Sequence, residues 1–364
     1  MTDRYHALRE IATRCGLDAI ALVPGANFSR LFEKEFHQNE RPLVVVIPAV
    51  GAPSAIVPNL EMASFSAVGF EGDVYDWRDQ DGFQPAFDAL MQNNTLKSLG
   101  VEGQVMRVFV DQAFRKSSSG LVIEDAQKAI ASLRLKKNEQ ELAAIRRAIE
   151  ISEIALANTI DQVKIGMSER AIENILVQQL FASGAQDFAF APIVAASTNS
   201  AQPHAHSRVD YQLKAGDALL IDFGARADGV CADITRTFFI GHCDDKHADI
   251  YNAVLSANLA GHQASRPGAT AHDVDEAATA VLEHSPYAAR IRHKTGHGLG
   301  RDIHEDPYIM RGNDETLTDG MVFTIEPGLY ELTEFGVRIE DDVLITGTGS
   351  ESLTSFDKTL TVIG

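Results

Sequence analysis

The chain has 364 residues and is 45% apolar, enough to bury two hydrophobic cores. Its net charge of −19 argues against a surface that grips nucleic acid or anionic lipid. No apolar run reaches bilayer-spanning length, no stretch resembles a secretory h-region, and Cys15, Cys231 and Cys243 form no CxxC pair, so a cytoplasmic protein with neither a nucleic-acid nor a membrane partner is expected.

Residues 1–130 read as a small α/β domain. A helix over 2–14 gathers Tyr5, Leu8, Ile11 and Ala12 on one side, and Gly16 ends it before a strand over 17–23. Residues 43–47 and 54–57 read as strands around PAVGAP, whose Pro and Gly leave only a tight connection. Residues 59–74 fit neither helical nor strand period, and the acidic, aromatic-bearing 73–81 reads as an exposed face. A helix over 83–99 and a strand over 104–110 complete this part, which carries no catalytic constellation.

Residues 131–364 form the second expected domain, entered by a helix over 121–131. Asn138, with Glu141 at the capping-box position, opens a long helix whose stripe is Leu142, Ile145, Ile149 and Leu156. Another helix runs from 166 to 181, a strand spans 188–196, and a polar segment leads to His204. Helices over 251–262 and 272–284 are expected to form the outer layer.

Acidic residues then interrupt strand-like apolar runs. Asp222 lies in LLID, Asp233 in CADITRTF, Glu326 in VFTIE and Glu340 in VRIEDDVLI, where Val or Ile would sit in an ordinary buried strand. A buried carboxylate without a partner is costly, so a positive charge must face it. If residues 226–229 all form the loop, Asp222 lies opposite Asp233; if Asp228-Gly229 alone is the turn, it lies opposite Thr235 and diagonal to Asp233. Both registers put the two carboxylates on one face, and Arg338 shares a face with Glu340. A single strand aspartate is more often a turn or edge residue and a lone histidine more often structural. Four misplaced carboxylates joined by His297, flanked by Gly296 and Gly298, point instead to a site for two divalent ions. Oxygen-rich coordination with one imidazole suits Mn first, with Co, Fe or Zn as alternatives.

The segments LLIDFGARADGVCADITRTF, GHGLGRDIHEDP, GMVFTIEPGLY and GVRIEDDVLIT resemble the pita-bread metallopeptidases, within them the Xaa-Pro branch of prolidases and aminopeptidases P. The resemblance, close over about residues 130–364, implies a creatinase-like α/β N-terminal domain that caps the active site or joins a homodimer, followed by a pita-bread catalytic domain. It implies that Asp222, Asp233, His297, Glu326 and Glu340 hold two metal ions, with Asp233 and Glu340 shared between them. Glu326 would also pass a proton from the attacking water to the prolyl nitrogen. His204 and His304 would stabilise the oxyanion, and His293 with His304 would support the site or touch substrate, Glu305 orienting His304; His206 receives no such support.

The activity so implied is hydrolysis of the bond between an N-terminal residue and proline in dipeptides and short peptides, the longer ones cleaved comparably well. A strict Xaa-Pro dipeptidase is the alternative. Methionine aminopeptidase is disfavoured by the long N-terminal domain, creatinase by five intact metal positions, and a metal-free binding protein would have lost one of them. The chain departs from the family pattern before His204, where AASTNSAQP replaces a Gly-rich element, and at Arg301, which would contact a substrate carboxylate or lie on the surface.

Overall fold

The computed structural model describes residues 3–364, so Thr2 of the expected first helix lies outside it. Two compact units divide the chain, Met1–Arg134 and Leu135–Gly364.

The first unit contains, in order, α1 (His6–Cys15), β1 (Ala19–Leu22), α2 (Ala26–Phe32), β2 (Val44–Pro48), β3 (Ser54–Pro58), α3 (Met62–Ser66), β4 (Asp73–Trp77), α4 (Gln84–Asn93), β5 (Ser98–Val101), α5 (Val108–Ser117), β6 (Val122–Asp125) and α6 (Gln127–Ala131). Its sheet has the order β4-β3-β2-β1-β5-β6. Because helices cover both faces, β1 and β2 are apolar at successive positions instead of alternating. Ile20, Leu22, Val45 and Ile47 pack with α1 and α2, while Ala19, Ala21, Val44 and Val46 pack toward α4 and α5. Gly16 adopts φ 70° and closes α1 as a left-handed cap.

Three expectations for this unit fail, each because a distant partner decides between two locally acceptable states. No strand forms over 104–110: a turn leads into α5 at Val108, whose Val110, Ala113 and Phe114 make a helical stripe against α4. The helix expected over 121–131 starts late, because residues 122–125 pair in parallel with β5. The helix expected over 83–99 ends at Asn93, because Ser98–Val101 pairs in parallel with β1. The acidic stretch from Asp73 is largely exposed, as expected, and begins as an edge strand parallel to β3, in which Trp77 is buried and donates Nε1–H to the Pro42 carbonyl at 3.2 Å.

The second unit contains α7 (Glu139–Ile160), α8 (Glu169–Ala182), β7 (Asp187–Phe188), β8 (Ile193–Ala196), β9 (Ala218–Phe223), β10 (Ala225–Ala227), β11 (Val230–Cys231), β12 (Ile234–Ile240), α9 (Asp245–Ala264), α10 (Ala271–Glu283), β13 (Gly296–Gly298), β14 (Glu305–Ile309), β15 (Val322–Ile325), β16 (Gly328–Tyr330), β17 (Gly336–Arg338), β18 (Asp341–Thr346), β19 (Gly349–Ser352) and β20 (Val362–Ile363). Asn138 and Glu141 form the expected capping box on α7, and Thr270 with Asp273 forms another on α10. The strand expected over 188–196 is split between two sheets, since β7 pairs with β10 and β8 with β9.

Two sheets position the site: β20-β12-β9-β8 and β14-β13-β15-β18-β19. Helices α7 and α8 bury Ile145, Ile149, Ile172 and Leu176 against the first. Helix α10 packs Val274 on Phe323, Ile325 and Val343 of the second, and α9 packs Tyr251 and Val254 on Phe239 and Val337. The sheets meet where the Glu340 N–H donates to the Thr235 carbonyl at 3.1 Å.

Candidate active site

The first carboxylate pair hangs on a hairpin. Asp228 and Gly229, with φ of 50° and 77°, make the two-residue turn between β10 and β11, and the register places Asp222 opposite Thr235. Of the two registers open to the sequence, this is the diagonal one. At Gly224, facing the start of β12, a Cβ would stand 1.7 Å from the Ala232 carbonyl oxygen, so the ribbon is drawn together beside Asp233.

His297 sits in β13 between two glycines whose neighbours leave no room for a methyl group. A Cβ on Gly296 would lie 2.0 Å from the Thr324 carbonyl oxygen, and one on Gly298 2.3 Å from that of Asp306. Gly296→Ala is therefore expected to cost about 1–3 kcal/mol by overpacking and to move His297, which a denaturant titration and a metal-affinity measurement on the variant would detect. The His297 Nδ1 faces the Gly298 carbonyl at 3.1 Å and must be its protonated nitrogen. Its Nε2 lone pair is thereby turned to the carboxylates, 3.7 Å from Asp233 Oδ2 and 3.3 Å from Glu326 Oε1.

Ligand atoms of Asp233, His297 and Glu340 lie within 4.8 Å of one another. Glu326 follows β15, fixed by its N–H to the Thr295 carbonyl at 2.7 Å, and Glu340 Oε2 accepts the Thr235 hydroxyl at 2.6 Å. Arg338 donates to Asp222 Oδ2, to Thr235 Oγ1 at 3.0 Å and to the Tyr330 hydroxyl at 2.8 Å. One cation cannot neutralise this cluster. Asp222 Oδ1 and Asp233 Oδ1 are buried without hydrogen-bond partners. Burial and, behind it, the neighbouring carboxylates push Asp233 and Glu340 far above the usual range. Burial likewise raises Glu326 to about 7 and lowers His297 to about 3. Orphaned oxygens, carboxylates that resist ionisation and a neutral imidazole with its lone pair inward together fit divalent cations.

The other three histidines have different surroundings. His293 is satisfied at both nitrogens, Nδ1 against the Lys294 carbonyl at 2.8 Å and Nε2 accepting from the Tyr330 hydroxyl at 2.7 Å, and burial lowers it to about 4. It is a neutral support for the Tyr330–Arg338–Asp222 chain. His304 is exposed, its ring edge-on to His297 at 4.2 Å between centroids. His204 is exposed too, on a segment tied down at its ends by buried Glu169, which accepts from the N–H of Ala196 and of Arg208 at 2.7 Å each and from the Arg208 guanidinium at 2.7 Å. All three histidines line a cavity of about 760 Å³ whose floor is Asp222, Asp233, His297, Glu326 and Glu340.

Two expectations about this region change. Arg301 is not on the cavity wall; its Nε donates to Glu141 Oε1 at 3.3 Å near the start of α7. Glu305 turns to Lys137 Nζ at 2.6 Å, an ion pair buried on both sides. The sequence reading also missed Tyr330, and it missed Arg236, which is almost fully buried and grips Asp341 at 2.8 Å and the Glu340 carbonyl at 2.5 Å. Arg236 carried a usable signal, since a cation inside ITRTFFI is as misplaced as an aspartate inside LLID.

Residues 143–347 match the sequence profile of metallopeptidase family M24, and residues 4–136 that of the creatinase/prolidase N-terminal domain. The chain belongs to metallopeptidase family M24. Among its M24 relatives, a probable dipeptidase PepE of Mycobacterium tuberculosis is 33% identical over 365 residues, covering 99% of this chain and 96% of the relative. An Xaa-Pro dipeptidase of Pyrococcus furiosus is 34% identical over 278 residues, 76% of this chain and 78% of its own. The crystal structure of a prolidase from Thermococcus sibiricus superposes with a TM-score of 0.93 at 32% identity, covering 99% of this chain and 98% of that one. An X-Pro aminopeptidase from Thermotoga maritima gives 0.83 at 27% identity, with 100% of each chain covered. As an M24 metallopeptidase the chain is a metal-dependent hydrolase of mixed α/β fold, and no described helix is long and apolar enough to cross a membrane.

Proposed function

We propose that this enzyme hydrolyses the bond between an N-terminal residue and proline, using two divalent ions, Mn first, which Asp222, Asp233, His297, Glu326 and Glu340 would hold. The observation that carries the reading is the pair of buried, partnerless oxygens of Asp222 and Asp233 on the floor of a cavity of about 760 Å³. When bound, such ions supply Lewis acidity and water of lowered pKa. The chain's own groups do the rest. Glu326, on the cavity floor 3.3 Å from His297 Nε2, takes the proton of the attacking water and returns it to the departing prolyl nitrogen. His204 and His304 donate to the carbonyl oxygen as it gains charge. Arg338 donates to Asp222 Oδ2 and orients it. Phe190, Ile193 and Leu332 give the cavity the apolar wall a pyrrolidine needs, and the scissile tertiary amide has no N–H to satisfy.

With Mn supplied, Ala-Pro and Ala-Pro-Ala are expected to be cleaved and Ala-Ala-Ala to survive. Equal cleavage of the proline-free peptide would defeat the Xaa-Pro assignment, while turnover of Ala-Pro alone would define a strict dipeptidase. A cytoplasmic location is supported by three described cysteines that are all free, as a reducing compartment leaves them. Homodimerisation rests on the family resemblance, and sedimentation velocity reads it directly.

A further inference from the structure

This chain carries 51 acidic residues against 32 basic ones, and several arginines of the second unit find acidic partners. Arg290 meets Glu334 at 3.3 Å, Arg301 meets Glu141 at 3.3 Å, Arg311 meets Glu283 at 2.7 Å, and Arg338 meets Asp222. Arg292 and Lys294 do not follow this pattern. Both are exposed, both line the cavity, and they flank His293 on the segment that leads into β13. Arg292 Nη1 donates to the backbone carbonyls of Ala289 at 2.5 Å and Ile291 at 3.0 Å, and Lys294 Nζ stands 5.3 Å from the centroid of the Tyr308 ring. Neither cation has a carboxylate partner among the described residues. In an acidic protein, two uncompensated cations on the wall of a cavity are poised for an anion brought by the ligand.

We propose that Arg292 and Lys294 read the free C-terminal carboxylate of the substrate and thereby make dipeptides the preferred substrates. The proposal rests on the peptidase reading of the same cavity and adds its specificity. A dipeptide carries its carboxylate on the residue just past the scissile bond, whereas a tripeptide carries it one residue further away. A wall of this sign also repels the substrate's ammonium group, so the peptide enters in one direction. Longer peptides should therefore be poorer substrates, in place of the comparable cleavage expected from the sequence.

The test is the ratio of kcat/KM for Ala-Pro to that for its uncharged amide Ala-Pro-NH2, in the Mn-loaded enzyme and in the Arg292→Ala/Lys294→Ala double variant. Wild type should favour the free acid roughly tenfold or more, the size of one charge-assisted contact, and the variant should lose most of that preference through KM. Arg292→Glu/Lys294→Glu should reverse it. A double variant that keeps the wild-type ratio overturns the proposal. So does a variant whose loss appears instead between Glu-Pro-NH2 and Ala-Pro-NH2, which would make the wall a reader of the first side chain. Ala-Ala and Ala-Ala-NH2 run in parallel separate this from the proline reading: an enzyme that ignores both proline substrates but cleaves Ala-Ala defeats proline selectivity, while its acid-to-amide ratio still tests the wall. Both positions are exposed, and matching thermal melts confirm that the variants are folded.

Discussion

Glu326→Gln is expected to lower kcat by roughly 10²–10⁴-fold, the usual contribution of a positioned acid-base group, with a smaller change in KM. The amide keeps the size of the side chain and its backbone anchor, the N–H to the Thr295 carbonyl at 2.7 Å. It cannot take a proton at neutral pH, and it removes one negative ligand from the floor. Glu326 is suited to the role because its carboxylate lies on the cavity floor, 3.3 Å from His297 Nε2. Single-turnover kinetics on the Mn-saturated variant would check this. Near-normal turnover would move the proton transfer elsewhere, with His204 the next residue to replace.

Removing the metal should abolish peptidase activity and lower Tm, with Mn or Co restoring both. Elemental analysis beside the activity assay decides the matter, and full activity in a metal-free sample would sink the dinuclear reading. The stripped protein should also acquire a pH dependence that the loaded protein lacks. Asp233, Glu326 and Glu340 all have folded-state pKa values raised above those of an unfolded chain, chiefly by burial. A raised value means the folded state binds the extra proton, so stability is fully present below the unfolded pKa and is lost as pH rises through the folded one. For Glu326 that window runs from its ordinary 4.5 to about 7, and the other two act in the same direction. Apo Tm should therefore fall between about pH 6.5 and pH 8, above the range in which buried His293 and His297, with lowered values, act in the opposite direction, because ionised carboxylates then face one another with Arg338 the cation hydrogen-bonded into the cluster. An apo melting temperature that rises over this range would contradict the electrostatic account of the site.

The floor of the site was legible in the sequence because its signal is local. A carboxylate inside an apolar strand run costs several kcal/mol unless something compensates it, so Asp222, Asp233, Glu326 and Glu340 stand out one at a time, and the glycines beside His297 announce a crowded backbone. Capping boxes are equally local, and Asn138 with Glu141 opens α7 where the spacing expects it. The cations of the wall were not legible. Arg292, Lys294 and Arg301 are all cations in loops, and nothing within a few residues of Arg301 shows that Glu141 receives it while the other two line the cavity. The choice between two hairpin registers also waited for the fold, because both put Asp222 and Asp233 on one face and only the pairing of β9 with β12 separates them.

Residues 104–110 and 121–125 misled for the same reason: short apolar runs satisfy helix and strand alike until α4 or β5 lies alongside. The sequence by itself thus determined which residues must be compensated, since burial cost belongs to the residue and its immediate run. Only the tertiary structure decided what compensates them, since partners such as Arg338 for Asp222 and Arg236 for Asp341 are separated from them by about a hundred residues and meet only when the sheets pack.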